Sequence, residues 1–92
     1  VDALRVRLAA ERGDDGHALR LLQESVTLSR RQDPYVAAYL VTECAPSLMR
    51  SADALVSLID SVTPEIDALG FAGLGERLGT LRMALIGATQ AA

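Results

Sequence analysis

The sequence predicts an all-α domain of about five antiparallel helices. They are paired as two helical hairpins, over residues 1–33 and 34–69, and followed by a capping helix over 71–88. Three observations carry this reading. The segment ALRLLQESVT at 18–27 reappears as ALVSLIDSVT at 54–63, and self-similarity at a period of this size marks stacked helical units. Half of the residues are apolar but only 3% are aromatic, so the core must be built from Leu, Val, Ile and Ala, which suits closely packed helices. No run of alternating β-branched residues reads as a strand.

Each element follows from local signals. In helix 1 (about 2–12), Val1, Leu4 and Leu8 recur at helical spacing among Arg5, Arg7, Glu11 and Arg12. Gly13 can end it in the left-handed conformation, and Asp14 or Asp15 can cap the next helix. Helix 2 (about 16–31) buries Ala18, Leu19, Leu22 and Val26, with Leu21 and Leu28 as further candidates for that face, and its last turn carries Arg30 and Arg31, which complement the helix dipole. Asp33-Pro34 then stops it and opens helix 3, Asp33 as cap and Pro34 at the first position. Helix 3 (about 35–49) takes Val36, Tyr39, Leu40, Cys44, Leu48 and Met49 as its apolar set, with a kink expected near 42–46 because Pro46 removes a backbone hydrogen bond. Helix 4 (about 51–69) starts with Ser51 or Asp53 as cap and presents Ala54, Leu55, Leu58, Ile59, Val62, Ile66 and Leu69. Pro64 either kinks it or splits it in two; the common face of 58, 62, 66 and 69 favours a kink. Gly70 ends it. Helix 5 (about 72–87) carries Leu74, Leu78, Leu81, Leu85, Met83 and Ile86, with Gly73, Gly75 and Gly79 allowing close approach to helix 4, and residues 89–92 are expected to fray.

Composition narrows the function. A chain of 92 residues makes one domain and buries roughly 60–65% of its unfolded surface. The net charge is −3 and every cation is Arg, with only Arg30 and Arg31 adjacent, which argues against direct nucleic-acid binding. A lone Cys44 excludes an intrachain disulfide. No apolar run spans a membrane and no signal peptide is visible, so a cytoplasmic location is expected. The absence of Lys and Asn points to a GC-rich bacterial genome, and the start at Val1 inside a helix to a piece of a longer protein.

The residues that could carry chemistry read better as scaffold. Asp14-Asp15 lacks the length and terminal Glu of a calcium loop, and fits a turn and cap. His17, the only histidine, has no nucleophile or metal partner nearby in sequence and fits a helix start. Cys44 lies on an apolar face and reads as an inert buried thiol. Gly73, Gly75 and Gly79 follow no strand and no Lys accompanies them, so no phosphate loop is expected. The expectation is no enzyme, no cofactor and no metal.

The second helix of each copy resembles a tetratricopeptide-type repeat. Ala18, Leu22 and Ser25 fit that family's small, large and small packing positions, as do Ala54, Leu58 and Ser61, and Gly13 fits its turn glycine. Met49 takes the glycine place in the second copy. The first-helix positions fall on Asp2, Val6 and Ala9 and do not match, and the terminal proline is displaced to Pro34. The pattern from Gly13 to Pro34 is similar to helical repeats in large bacterial ATPase regulators, many of which end in a LuxR-type DNA-binding domain. The resemblance implies a protein-interaction or regulatory module in a signalling or transcriptional regulator. The partner would be a protein, a peptide or flanking domains of the same chain, with no direct nucleic acid and no membrane. It also implies an inner face lined by first helices, here Arg7, Ala10 and Glu11, then Tyr39, Glu43 and Pro46. Arg7, Glu11, Tyr39 and Glu43 are therefore the candidate contact residues. The alternative is a small-molecule pocket between helices 3, 4 and 5, opened by the prolines and glycines.

Overall fold

A computed structural model describes the backbone of residues 2–91 and the side chains of residues 3–87. The chain is all-helical, with no strand among the described residues: α1 Asp2–Glu11, α2 Asp15–Gln32, α3 Pro34–Cys44, a 3-10 segment Ala45–Ser51, α4 Ala52–Leu69 and α5 Ala72–Ala91. The expected place of Val1 on the apolar face lies outside the described residues, as does Ala92. The backbone over 89–91 is helical, so α5 runs past its expected end.

The local signals act as read. Gly13 (φ 82°) closes α1: its N–H donates to the Ala10 carbonyl at 3.0 Å and the Asp14 N–H to the Ala9 carbonyl at 3.0 Å. This paired closure needs a residue tolerant of left-handed backbone at the turn. Gly70 (φ 80°) ends α4 the same way, with its N–H on Asp67 and that of Phe71 on Ile66. Asp14 caps α2 by accepting from the His17 N–H at 3.2 Å. Asp33 caps α3 by accepting from the Tyr35 N–H at 3.0 Å, with Pro34 opening the helix. Ser51 makes no side-chain cap bond, and Asp53 only adds charge to the first turn of α4. α4 passes through Pro64 as a single helix.

Helix 3 is shorter than expected. The α-helix ends at Cys44, and the 3-10 segment replaces the anticipated kinked continuation to Met49. Pro46 has no N–H for the α-helical ladder, and the tighter 3-10 winding tolerates that loss. Leu48 leaves helical geometry (φ −123°, ψ 27°) and inserts a fully buried side chain, while Met49 is exposed.

Sequential helices pack on one another, and α3 also touches α1 and α5. The odd-numbered helices thus lie on one side of the molecule and α2 and α4 on the other, in a slab of 36 × 31 × 16 Å. Because α3 has neighbours on several sides, its inward residues are small: Ala37, Ala38 and Val41 are fully buried, whereas Val36 and Tyr39 point outward. That reverses part of the expected apolar set. α1 reverses too: Val6 and Ala9 enter the core, and Leu4 and Leu8 are exposed. Ala18, Leu22 and Val26 of α2 are buried as expected, and Leu28 is exposed. In α4 the buried stripe is Leu55, Ile59, Val62 and Ile66; Ala54 and Leu58 are only half-buried and Leu69 is exposed. In α5 Leu74, Leu78 and Leu85 are buried and Met83 is exposed. Of the three α5 glycines expected to allow close packing, only Gly75 does: a Cβ there would lie 3.2 Å from Asp67 Oδ1, against open space at Gly73 and Gly79.

Candidate interaction surface

Two contacts join residues one sequence period apart. Arg7 Nη2 donates to Glu43 Oε2 at 2.8 Å, from α1 to α3. The rings of Tyr35 and Phe71 meet edge to face with centroids 5.0 Å apart, joining the start of α3 to the start of α5. Residues one sequence period apart are thus neighbours on the side formed by the odd-numbered helices.

Within α3 the i, i+4 spacing sets Tyr39 above Tyr35, with ring centroids 6.5 Å apart and planes within 10°. All three aromatic residues of the chain therefore form one ladder, Phe71–Tyr35–Tyr39, and each remains about 40% exposed. Exposed rings gathered in one patch are what a binding surface retains, since burial of aromatic area is the largest contribution a single side chain makes to association.

Glu43 connects this ladder to charge. It accepts from Arg7 and from the Tyr39 phenol, and this hydrogen bond, reinforced by the negative charge, holds the phenol above its ordinary pKa of 10.0. Arg77 of α5 acts on Tyr39 in the opposite sense. The Arg7–Glu43 pair is partly exposed, so it contributes about 0–1 kcal/mol and serves mainly to orient Glu43. Beside it an open groove of about 650 Å³ runs between α3 and α5, lined by Thr42, Glu43, Glu76, Arg77, Thr80 and Leu81 among others. The helices α3, α4 and α5, expected to frame a small-molecule site, contribute Ala38, Leu55, Ile59, Leu74 and Leu78 to one buried apolar cluster. What opens there is this groove on the α3–α5 side.

Of the four candidate contact residues, the structure brings Arg7, Tyr39 and Glu43 together. Glu11 sits apart, lining a different groove with Gly13, Asp15, Pro46 and Arg50. Pro46 goes with Glu11 and not with Tyr39. Residue-by-residue reading missed Tyr35, Phe71 and Arg77; subtracting the period from Phe71 gives Tyr35, and that was the available signal.

The residues weighed for chemistry lie elsewhere. Cys44 is fully buried beneath Glu43, and burial pushes its thiol above the ordinary 9.0, with Arg7 opposing and Glu43 reinforcing the shift. His17 is exposed at the start of α2. Among the described residues no group of His, Cys, Asp and Glu side chains is disposed to hold a metal ion, and no helix is long and apolar enough to cross a membrane. Comparison of the chain with protein-family models, curated proteins and solved structures finds no significant match.

Proposed function

We propose that this chain is a tetratricopeptide-like helical-repeat module that binds a protein or peptide segment across the α1–α3–α5 side. The observation that carries the proposal is the aromatic ladder Phe71–Tyr35–Tyr39, left exposed beside the Arg7–Glu43 pair. Its Tyr35–Phe71 rung joins positions one period apart, which supports a tandem scaffold, and the groove between α3 and α5 supplies length for an extended or helical segment. The likeness of the segment from Gly13 to Pro34 to repeats of bacterial ATPase regulators supports a cytoplasmic signalling or transcriptional regulator as its setting.

The test is selection of peptides from a random library displayed on phage, with a Tyr35→Ala/Tyr39→Ala variant as counter-screen. Both rings are partly exposed, so circular dichroism and thermal melting should show a folded variant. Binders are expected that lose roughly tenfold or more in affinity to the variant, as removal of an aromatic anchor does. Binders indifferent to both tyrosines and to Arg7→Glu would refute the assignment to this side.

A further inference from the structure

A second surface lies on the outer side of α1 and α2. Arg5, Leu8, Ala9 and Arg12 of α1 face Asp14, His17 and Leu21 of α2 across a groove of about 510 Å³. Leu4 lies one turn before Leu8 on α1, and both are exposed. Moving one period along the chain shows what such a groove accepts. The counterparts of Arg5, Leu8, Ala9 and Arg12 are Val41, Cys44, Ala45 and Leu48, and all four are fully buried. α2 packs against both α3 and the 3-10 segment, the elements that carry these four residues. The same place on α1–α2 therefore has the shape for a helix.

Two of the four positions differ in charge. Arg5 and Arg12 stand where Val41 and Leu48 stand in the second copy, and neither arginine has an ion-pair partner among the described residues. His17 adds a third basic side chain, while the one carboxylate in the groove, Asp14, is engaged in capping α2. A helix fixed there permanently would leave two guanidinium groups buried, which is costly unless carboxylates meet them. Interfaces that form and dissociate favour Arg around an apolar centre.

We infer that this groove docks an amphipathic helix of a partner protein, with leucine-like side chains on one face flanked by Asp or Glu. Its apolar stripe seats on Leu4, Leu8, Ala9 and Leu21, as helix-in-groove recognition requires, and its carboxylates meet Arg5 and Arg12. The inference uses the one-period stacking of the copies but not the aromatic side, so either can fail alone.

The test uses two dye-labelled helical peptides of about 18 residues, long enough to hold helix in water. Both carry Leu at i, i+3, i+4 and i+7; one has Glu flanks and the other Lys. Fluorescence anisotropy should show the Glu peptide binding, weakened by salt, and the Lys peptide roughly tenfold or more weaker, the effect of reversing charges that face one another. Arg5→Glu/Arg12→Glu should reverse that order, and Leu8→Ser should weaken both peptides. Leu8 and Leu4 are exposed, so Leu4→Ser serves as an independent second variant, with helicity checked by circular dichroism. Equal binding of the two peptides, or binding of neither, overturns the proposal. So does Glu-peptide binding that survives Leu8→Ser but is lost in Tyr39→Ala, which would place it on the aromatic side. Concentration-dependent self-association abolished by Leu8→Ser in sedimentation would assign the groove to a second copy and also overturn it.

Discussion

The α1–α2 and α3–α4 pairs share a ten-residue match yet reverse the chain by different means. The first turns on Gly13 in left-handed backbone, with Asp14 capping the next helix. The second has Met49 in the glycine place and winds through the 3-10 segment, anchored by the buried Leu48. The matched leucines differ too: Leu22 is fully buried while Leu58 is half-buried, and Leu55 and Ile59 take the core places in α4. Similar sequence thus supplies the helices, and the neighbours decide which stripe of each helix is covered. α2 lies against α1 and α3, whereas α4 lies against α3 and α5.

The comparison is most directly broken by truncating the matched leucines. Leu22→Ala should cost about 2–5 kcal/mol, the range for a fully buried leucine, and Ile59→Ala a similar amount. Leu58→Ala should cost roughly half as much, because less of its side chain leaves water on folding. Urea unfolding of the three variants measures this, with the slope of the transition checking that all unfold alike. Equal losses at Leu22 and Leu58 would mean that the two second helices are covered alike, against the burial described.

Pro64 sharpens the comparison from the other direction. Its counterpart is Leu28, and both are exposed, so neither contributes much by packing. Pro64 interrupts the hydrogen bonding of α4, whereas α2 is uninterrupted. Pro64→Ala is expected to stabilise the fold by about 1–3 kcal/mol, up to the helix-interior penalty of proline. Leu28→Pro should destabilise it by about 3 kcal/mol. No gain from Pro64→Ala would show that α4 has adapted to its proline through packing.

The turns give a smaller effect. Gly13→Ala forces a Cβ into left-handed backbone and should cost about 1–2 kcal/mol, although open space surrounds the position. Met49→Gly should not stabilise the second turn, since no non-glycine residue there has positive φ, and a loss of about 0.5–1 kcal/mol from added chain entropy is expected. Thermal melts of the two variants test this; a stabilising Met49→Gly would mean that the second pair can adopt the first pair's turn.

These contrasts also show what the sequence could reveal. Gly13, Asp14, Asp33-Pro34 and Gly70 were legible because each acts on hydrogen bonds within a few residues of itself. The apolar stripes of α1 and α3 were legible only as periodicity. Which stripe faces inward depends on distant helices, so Leu8 and Tyr39 read as core and turned out exposed, while Ala37 and Ala38 were overlooked. For the interaction surface, Arg7, Glu11, Tyr39 and Glu43 came from the positions that line the inner face in the repeats the chain resembles, and Glu11 lies apart from the other three, in a groove shared with Pro46 and Arg50. Tyr35 and Phe71 lie 36 positions apart, and their contact depends on how the copies stack, which single-helix reading does not address.

The least perturbing contrast is Leu8 against Cys44, the same position in the two copies. Leu8 is exposed and cannot titrate; Cys44 is buried, and burial raises its thiol pKa above 9.0. A group that holds its proton more tightly when folded favours the native state while protonated. Its contribution is therefore complete below 9.0 and is lost as the pH rises through the higher folded value. Tyr39 adds a second loss of the same sign, with its full contribution below 10.0, because ionising the phenol removes its hydrogen bond to Glu43 and sets two negative charges together. Urea unfolding at stepped alkaline pH should show stability falling in the wild type, a weaker fall in Cys44→Ala, and loss of the later component in Tyr39→Phe. Cys44→Ala lowers the baseline through lost packing, so the slope with pH is the readout and not the absolute value. An unchanged slope in Cys44→Ala would mean that the thiol is solvated in the folded chain, and hence that α1 and α2 do not cover the second copy at the position where the first is open.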